Sequence, residues 1–113
     1  MTPIADTPPL CQLADIPDGN AIEVEARVDG EVESLLVYRN GDEARAYFNV
    51  CPHAGRRLDY APGRFLVRNG NIICAAHGAT FTADSGDCTM GPCRGDRLRV
   101  VPVGVLDGAV RLT

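Results

Sequence analysis

Apolar and polar residues alternate through residues 21–28 and again through 31–38, and Asp29-Gly30 separates the two runs. A period of two sends successive side chains to opposite faces, and Asp-Gly favours a two-residue turn. Together they predict an antiparallel hairpin. Asn40-Gly41 follows, then a third predicted strand over 44–50 that stops at Cys51. Residues 64–68 and 71–74 flank Asn69-Gly70 and form a second predicted hairpin, which ends at Cys74. Strands over 79–82, 97–103 and 109–112 complete the set, with 104–108 as the connection between the last two.

No stretch sustains a helical period. Residues 15–20 contain Pro17 and Gly19, which allows a loop or a single helical turn. Three prolines in residues 1–9 predict an extended arm, with a single domain over 10–113. Short strands at even spacing, divided by such turns, indicate an all-β fold, a small sandwich or barrel.

A chain of 113 residues holds one domain and a modest core. No apolar run approaches the ~20 residues of a membrane span. Residues 1–6 carry neither a basic nor an apolar segment, so no signal peptide is expected. Five cysteines, an odd number, fit metal ligation plus thiols better than a disulfide framework, and the expected location is cytoplasmic.

Charge is unevenly spread. Residues 1–50 hold ten acids and three bases, whereas 51–113 hold five acids and eight bases, all arginine. The absence of lysine reads as codon bias. There is no basic block interleaved with aromatics, so nucleic acid is not an expected partner.

The candidate chemistry lies in the basic half. Both histidines follow a cysteine closely: Cys51-Pro52-His53, then Cys74-Ala75-Ala76-His77. Thiolate and imidazole are metal ligands of the softer kind, so the four argue for a metal centre. Two Cys and two His suggest tetrahedral zinc. The single residue between Cys51 and His53 makes closing both onto one ion awkward. It suits a binuclear centre in which each loop gives one ligand to each metal.

Cys51-Pro52-His53-Ala54-Gly55 with Cys74-Ala75-Ala76-His77-Gly78 resembles the Rieske [2Fe–2S] proteins, in which two cysteines hold one iron and two histidines the other. The likeness runs from Leu10 to the C-terminus and includes Leu58, Gly86 and Gly91-Pro92. It implies a Rieske-like β-sandwich whose cluster-binding part, about 50–82, is built from two hairpin loops. Cys51 and Cys74 would hold the inner iron, His53 and His77 the outer one near solvent. The segment 59–71 is a few residues longer than in compact relatives, which bears on partner choice.

Two ferric ions, two sulfides and two thiolates sum to zero, so reduction takes such a site only to −1, and histidine ligation raises the potential. High-potential relatives place a serine two residues after the second histidine and a tyrosine two further on, both donating to sulfur. They also bridge the ligand loops with a disulfide. Here Ala79 and Phe81 stand at the donor positions and Arg56 and Ala76 at the bridge. The resemblance therefore implies a ferredoxin-type, low-potential cluster, in the lower third of the family range of ~−150 to +300 mV.

Around the ligands, Pro52, Gly55 and Gly78 are expected to shape the loops so that backbone N–H groups approach the sulfides. Leu58 would cover the centre from water, and Ala79 and Phe81 would stand near it without a hydroxyl to donate. Arg56, Arg57, Arg64 and Arg68 form either a positive collar that steers an acidic redox partner or a solvated hairpin face. Cys88 and Cys93 read as buried thiols, or as a further ligand pair; a disulfide between them would need an oxidising setting. Cys11 reads as a small apolar residue.

With both histidines assigned as ligands, no Ser–His or Cys–His catalytic arrangement remains. The chain ends 36 residues after His77, so the catalytic domain of oxygenase large subunits is expected to be absent. The resemblance thus implies a soluble, non-catalytic one-electron carrier, passing electrons from a flavin reductase to an oxygenase or similar acceptor. An alternative is a small subunit of a multi-subunit oxidoreductase, like that of assimilatory nitrite reductase; a further one is a structural Cys2His2 zinc module.

Overall fold

Strand β3 (Glu31–Asn40) explains the architecture, because four consecutive residues, Leu35, Leu36, Val37 and Tyr38, are all buried. A strand with apolar residues at both parities needs cover on both faces. Leu35 and Val37 join one core cluster, while Leu36 and Tyr38 join another.

The computed structural model describes residues 8–52, 55–74 and 78–113. The middle sheet is ordered β2 (Ala21–Val28), β3, β4 (Glu43–Phe48) and β9 (Val100–Val101). Strands β1 (Pro9–Gln12), β11 (Ala109–Leu112) and β10 (Val103–Leu106) form a second sheet in that order. The third is ordered β5 (Leu66–Arg68), β6 (Asn71–Ile73), β7 (Thr80–Thr82) and β8 (Cys88–Met90). Every pairing is antiparallel. The expected all-β sandwich is present, with the third sheet sharing a core with the middle one.

The two cores divide the labour. One collects Leu13, Ile16, Leu35, Val37, Ala44, Ala46, Val101 and Val110 beneath the β1-β11-β10 sheet. Cys11 packs at its edge, where burial and then Asp15 push its thiol up to about 11, so it rests protonated as a small apolar residue. The other core joins Leu36, Tyr38 and Tyr47 to Phe65, Ile72, Ala79, Phe81 and Leu98, and it contains Cys51, Leu58, Cys74, Cys88 and Cys93. The two candidate cysteine ligands, Cys51 and Cys74, thus sit in the core shared by the middle and third sheets.

The predicted hairpins form as expected at Asp29-Gly30 and Asn69-Gly70, where both residues of each turn have positive φ. Other boundaries differ. The last hairpin turns at Asp107-Gly108, so 104–106 belong to β10 and not to a connection. The strand predicted over 97–103 is broken at Pro102, which supplies no N–H to a ladder. Strand β4 ends at Phe48 and not at 50, although Asn49 N–H still donates to Ser34 C=O at 2.9 Å. The single helical turn is a 3-10 turn at Leu13–Asp15, just before the segment expected to hold it. The predicted arm of 1–9 lies mainly outside the described residues, and Pro9 opens β1 against Arg111.

Candidate metal centre

Cys51 and Cys74 leave the ends of β4 and β6 and are each 1% exposed. Two short loops begin there, closed by the same pair of backbone hydrogen bonds. Cys51 N–H donates to Arg56 C=O at 2.6 Å and Gly55 N–H donates to Cys51 C=O at 2.9 Å. Cys74 N–H donates to Ala79 C=O at 2.8 Å and Gly78 N–H donates to Cys74 C=O at 2.9 Å. Each loop therefore turns back within five residues of its cysteine. Gly55 and Gly78 close it with φ of +66° and +71°, a conformation glycine adopts without steric penalty. Equivalent loops starting from two thiols in one core suit a pair of metals to which each loop contributes. His53 and His77 lie outside the described residues, as do Ala54, Ala75 and Ala76.

The neighbours of the thiols are apolar. Leu58 is 1% exposed, and Ala79 and Phe81 are fully buried on the segment leaving the second loop. Pro52 is exposed at the rim. A low-dielectric surround without hydroxyl donors at 79 and 81 accords with the sequence expectation for those positions.

The polar support of the first loop was not expected from sequence. Asn49 Oδ1 accepts Leu58 N–H at 2.8 Å, and Asn49 Nδ2 donates to Ser34 Oγ at 3.1 Å. Ser34 Oγ–H donates to Glu23 Oε2 at 2.5 Å, and the same carboxylate oxygen accepts Arg57 Nη2 at 2.7 Å. Arg57 also grips Asp59 with two hydrogen bonds of 3.0 and 2.7 Å, and Asp59 Oδ2 accepts Gly63 N–H at 3.1 Å. Because Arg57 and Leu58 are adjacent, these contacts close a ring that fastens the first loop to β2 and β3. The Ser34 hydroxyl and then Arg57 hold Glu23 below the usual carboxylate range, and Arg57 does the same for Asp59. The sequence signal was faint: an amide residue two positions before a candidate ligand.

The four arginines are exposed, but they are not alike. Arg57 has its charge met by Glu23 and Asp59, so it acts first as a strut. Arg56, one residue earlier, extends from the ligand loop itself; Arg64 and Arg68 lie on the inserted hairpin.

The segment after β8 approaches the second loop at Gly91. Gly91 packs so closely on Ala79 that a Cβ there would stand 2.8 Å from Ala79 Cα. Cys88 and Cys93 are both buried, with their Sγ atoms 2.7 Å apart. Burial pushes the Cys93 thiol up to about 12, so it rests protonated.

Comparison with known proteins agrees with this geometry. The anthranilate 1,2-dioxygenase ferredoxin subunit of Burkholderia cepacia is 30% identical over 90 residues, which cover 80% of this chain and 78% of that protein. The ferredoxin of carbazole 1,9a-dioxygenase from Nocardioides aromaticivorans IC177 is 27% identical, with 95% of this chain and 96% of that one aligned at a TM-score of 0.72. A chain from the complex of reduced oxygenase and oxidised ferredoxin in carbazole 1,9a-dioxygenase is also 27% identical. It aligns 94% of this chain and 91% of that one at a TM-score of 0.76. Residues 6–103 match the Rieske [2Fe-2S] domain family, and the chain, with its paired cysteine loops in a three-sheet β fold, belongs to that family.

Proposed function

We propose that this chain is a one-electron carrier of the ferredoxin type, delivering electrons to an oxygenase component. The observation that carries the reading is the pair of equivalent loops, each starting from a buried cysteine within one core. Cys51, His53, Cys74 and His77 would hold a Rieske [2Fe–2S] cluster, whose chemistry is reversible one-electron transfer with little change of structure. The donor set fits that group: two thiols and two imidazoles in loops of matched closure, with apolar neighbours.

The chain's own residues supply position and shielding. Leu58, Ala79 and Phe81 exclude water from the thiol side of the centre. The ring through Asn49, Ser34, Glu23 and Arg57 fixes the first loop, so little rearrangement accompanies a change of charge. Val50 and Met90, 43% and 63% exposed, lie beside the two loops and offer apolar contact to a docking protein. Arg56 adds a positive charge that favours an acidic partner face. An electron donor of the flavin-reductase class and an oxygenase acceptor are the expected partners, in keeping with the dioxygenase ferredoxin relatives. Among the described residues no helix is long and apolar enough to cross a membrane. We place the protein in the cytoplasm, where a reducing pool keeps Cys11, Cys88 and Cys93 as thiols.

The test is chemical and spectroscopic. The purified protein should carry about two iron and two sulfide per chain, with an EPR signal in the reduced state whose average g is below the free-electron value. Zinc in their place, with no visible absorption, would refute the reading. Single replacement of His53 or His77 should abolish the signal without unfolding the chain.

A further inference from the structure

We propose that Cys88 and Cys93 are a second redox site, a dithiol that a peroxide oxidant converts to an intramolecular disulfide across the Met90-Gly91-Pro92 turn. The two Sγ atoms are 2.7 Å apart, nearer than non-bonded contact and within a small adjustment of a disulfide bond of ~2.05 Å. The backbone holds them there. Cys88 N–H donates to Asp96 C=O at 2.9 Å, and Asp96 N–H donates to Cys93 C=O at 2.8 Å, so the strand and the returning segment are latched on either side of the pair. Cys88 Sγ also lies 3.3 Å from Met90 C=O, which orients its S–H along the turn and turns a sulfur lone pair toward Cys93.

The chemistry balances with hydrogen peroxide as oxidant. The Cys88 sulfur attacks the peroxide, the O–O bond breaks as the thiol proton passes to the leaving oxygen, and a sulfenic acid and water form. The second thiol then displaces hydroxide from the sulfenic sulfur; the S–S bond forms and a second water leaves. In sum, two thiols and one peroxide give one disulfide and two waters, and a cytosolic dithiol reverses it by exchange.

The site lies outside the proposed ligand set, yet it bears on it. Gly91 sits against the Ala79 backbone and 3.4 Å from Gly78 C=O as measured from a Cβ built upon it. A bond between Cys88 and Cys93 would fasten that turn to β8 and so hold the cover over the second ligand loop in place. The exposed Met90, Gly91 and Pro92 give a small oxidant a short route to the pair.

The experiment treats the intact, cluster-loaded protein with a limited amount of hydrogen peroxide, quenches with catalase, and alkylates all thiols in denaturant. Cleavage after Phe81 and Arg94 releases residues 82–94, in which Cys88 and Cys93 are the only cysteines. The expected result is that this peptide loses both alkyl labels and two hydrogens, and regains both labels after dithiothreitol. The visible spectrum of the same sample should persist, which separates this site from the cluster. Full labelling of both cysteines after peroxide would overturn the proposal, as would pairing of either with Cys11, Cys51 or Cys74. In a Cys93→Ser variant no disulfide can form: Cys88 should stop at the sulfenic acid, captured by dimedone, and the two-hydrogen loss should vanish.

Discussion

Asn49 accepts the backbone N–H of Leu58 at 2.8 Å through a side chain that is 1% exposed. It is the one polar residue among the fully buried side chains described. The bond spans the first ligand loop from the end of β4 to its far side, so the loop is braced across its mouth. An unpaired amide there would be costly, since water has no access to replace the lost partner.

Asn49→Ala removes that acceptor and leaves Leu58 N–H buried. The expected loss is about 1–3 kcal/mol in urea unfolding of the loaded protein. Loss of visible absorbance during dilution into chelator should also be faster. An unchanged unfolding midpoint would mean that water reaches the loop.

The Glu23–Arg57–Asp59 group gives a pH signature with a definite sign. Both carboxyls are held below their usual range, so their contribution is fully present above the ordinary carboxylate pKa of ~4. It is lost as pH falls through the lowered folded values. Wild type should lose stability on acidification below about pH 4 more steeply than Glu23→Gln with Asp59→Asn. Near-UV circular dichroism of the tyrosines would follow this. Arg57 is half exposed, so the difference should shrink in high salt.

Gly91→Ala places a Cβ 2.8 Å from Ala79 Cα at a φ of +95°. Backbone strain and a clash with the second ligand loop combine, with an expected cost of about 1–3 kcal/mol or more. Gly95→Ala is the control: its φ is +100°, but nothing lies within 4 Å of the added carbon. Thermal unfolding should rank Gly91→Ala well below Gly95→Ala. Equal midpoints would show that the close approach is relieved cheaply.

Arg56→Ala should slow reduction of an oxygenase partner chiefly at low ionic strength, because a Debye length of ~10 Å at 0.1 M salt screens long-range steering. Arg57→Ala should instead lower stability, as its charge is already engaged by two carboxylates. Stopped-flow rates across a salt series would distinguish them. Parallel curves for Arg56→Ala and wild type would leave Arg56 as a solvated side chain.

Neither Ala79 nor Phe81 offers a hydroxyl near the ligand loops, and both are fully buried. The midpoint potential should fall in the lower third of ~−150 to +300 mV, and Ala79→Ser should raise it. A potentiometric titration of the wild type above about +100 mV would contradict this reading.

Much of the protein was legible in its residues. Alternation in 21–28 and Asp29-Gly30 after it settled the first hairpin, since period and turn geometry are local properties. The expected alternation of 31–38 instead stops at Ser34, and Leu35 to Tyr38 are buried on both faces. The spacing of Cys51, His53, Cys74 and His77 was equally local and pointed to the Rieske family that the comparisons bear out. Strand β8 was hidden because Cys88, Thr89 and Met90 lie between glycines and are a strand only through pairing with β7.

What tertiary structure decided is the choice of partners across long stretches of chain. Arg57 reads in sequence as either a docking charge or a solvated side chain, and only the fold brings Glu23, 34 residues away, to 2.7 Å from it. Asn49 became a brace because β3 brings Ser34 beside it, and Cys88 and Cys93 became a pair because Asp96 closes the turn between them. Ligand types and strand periods are written in neighbouring residues, whereas hydrogen-bond partners depend on which strands the core draws together. The sequence by itself determined which atoms are available to hold the cluster; the packing of three sheets decided what holds those atoms still.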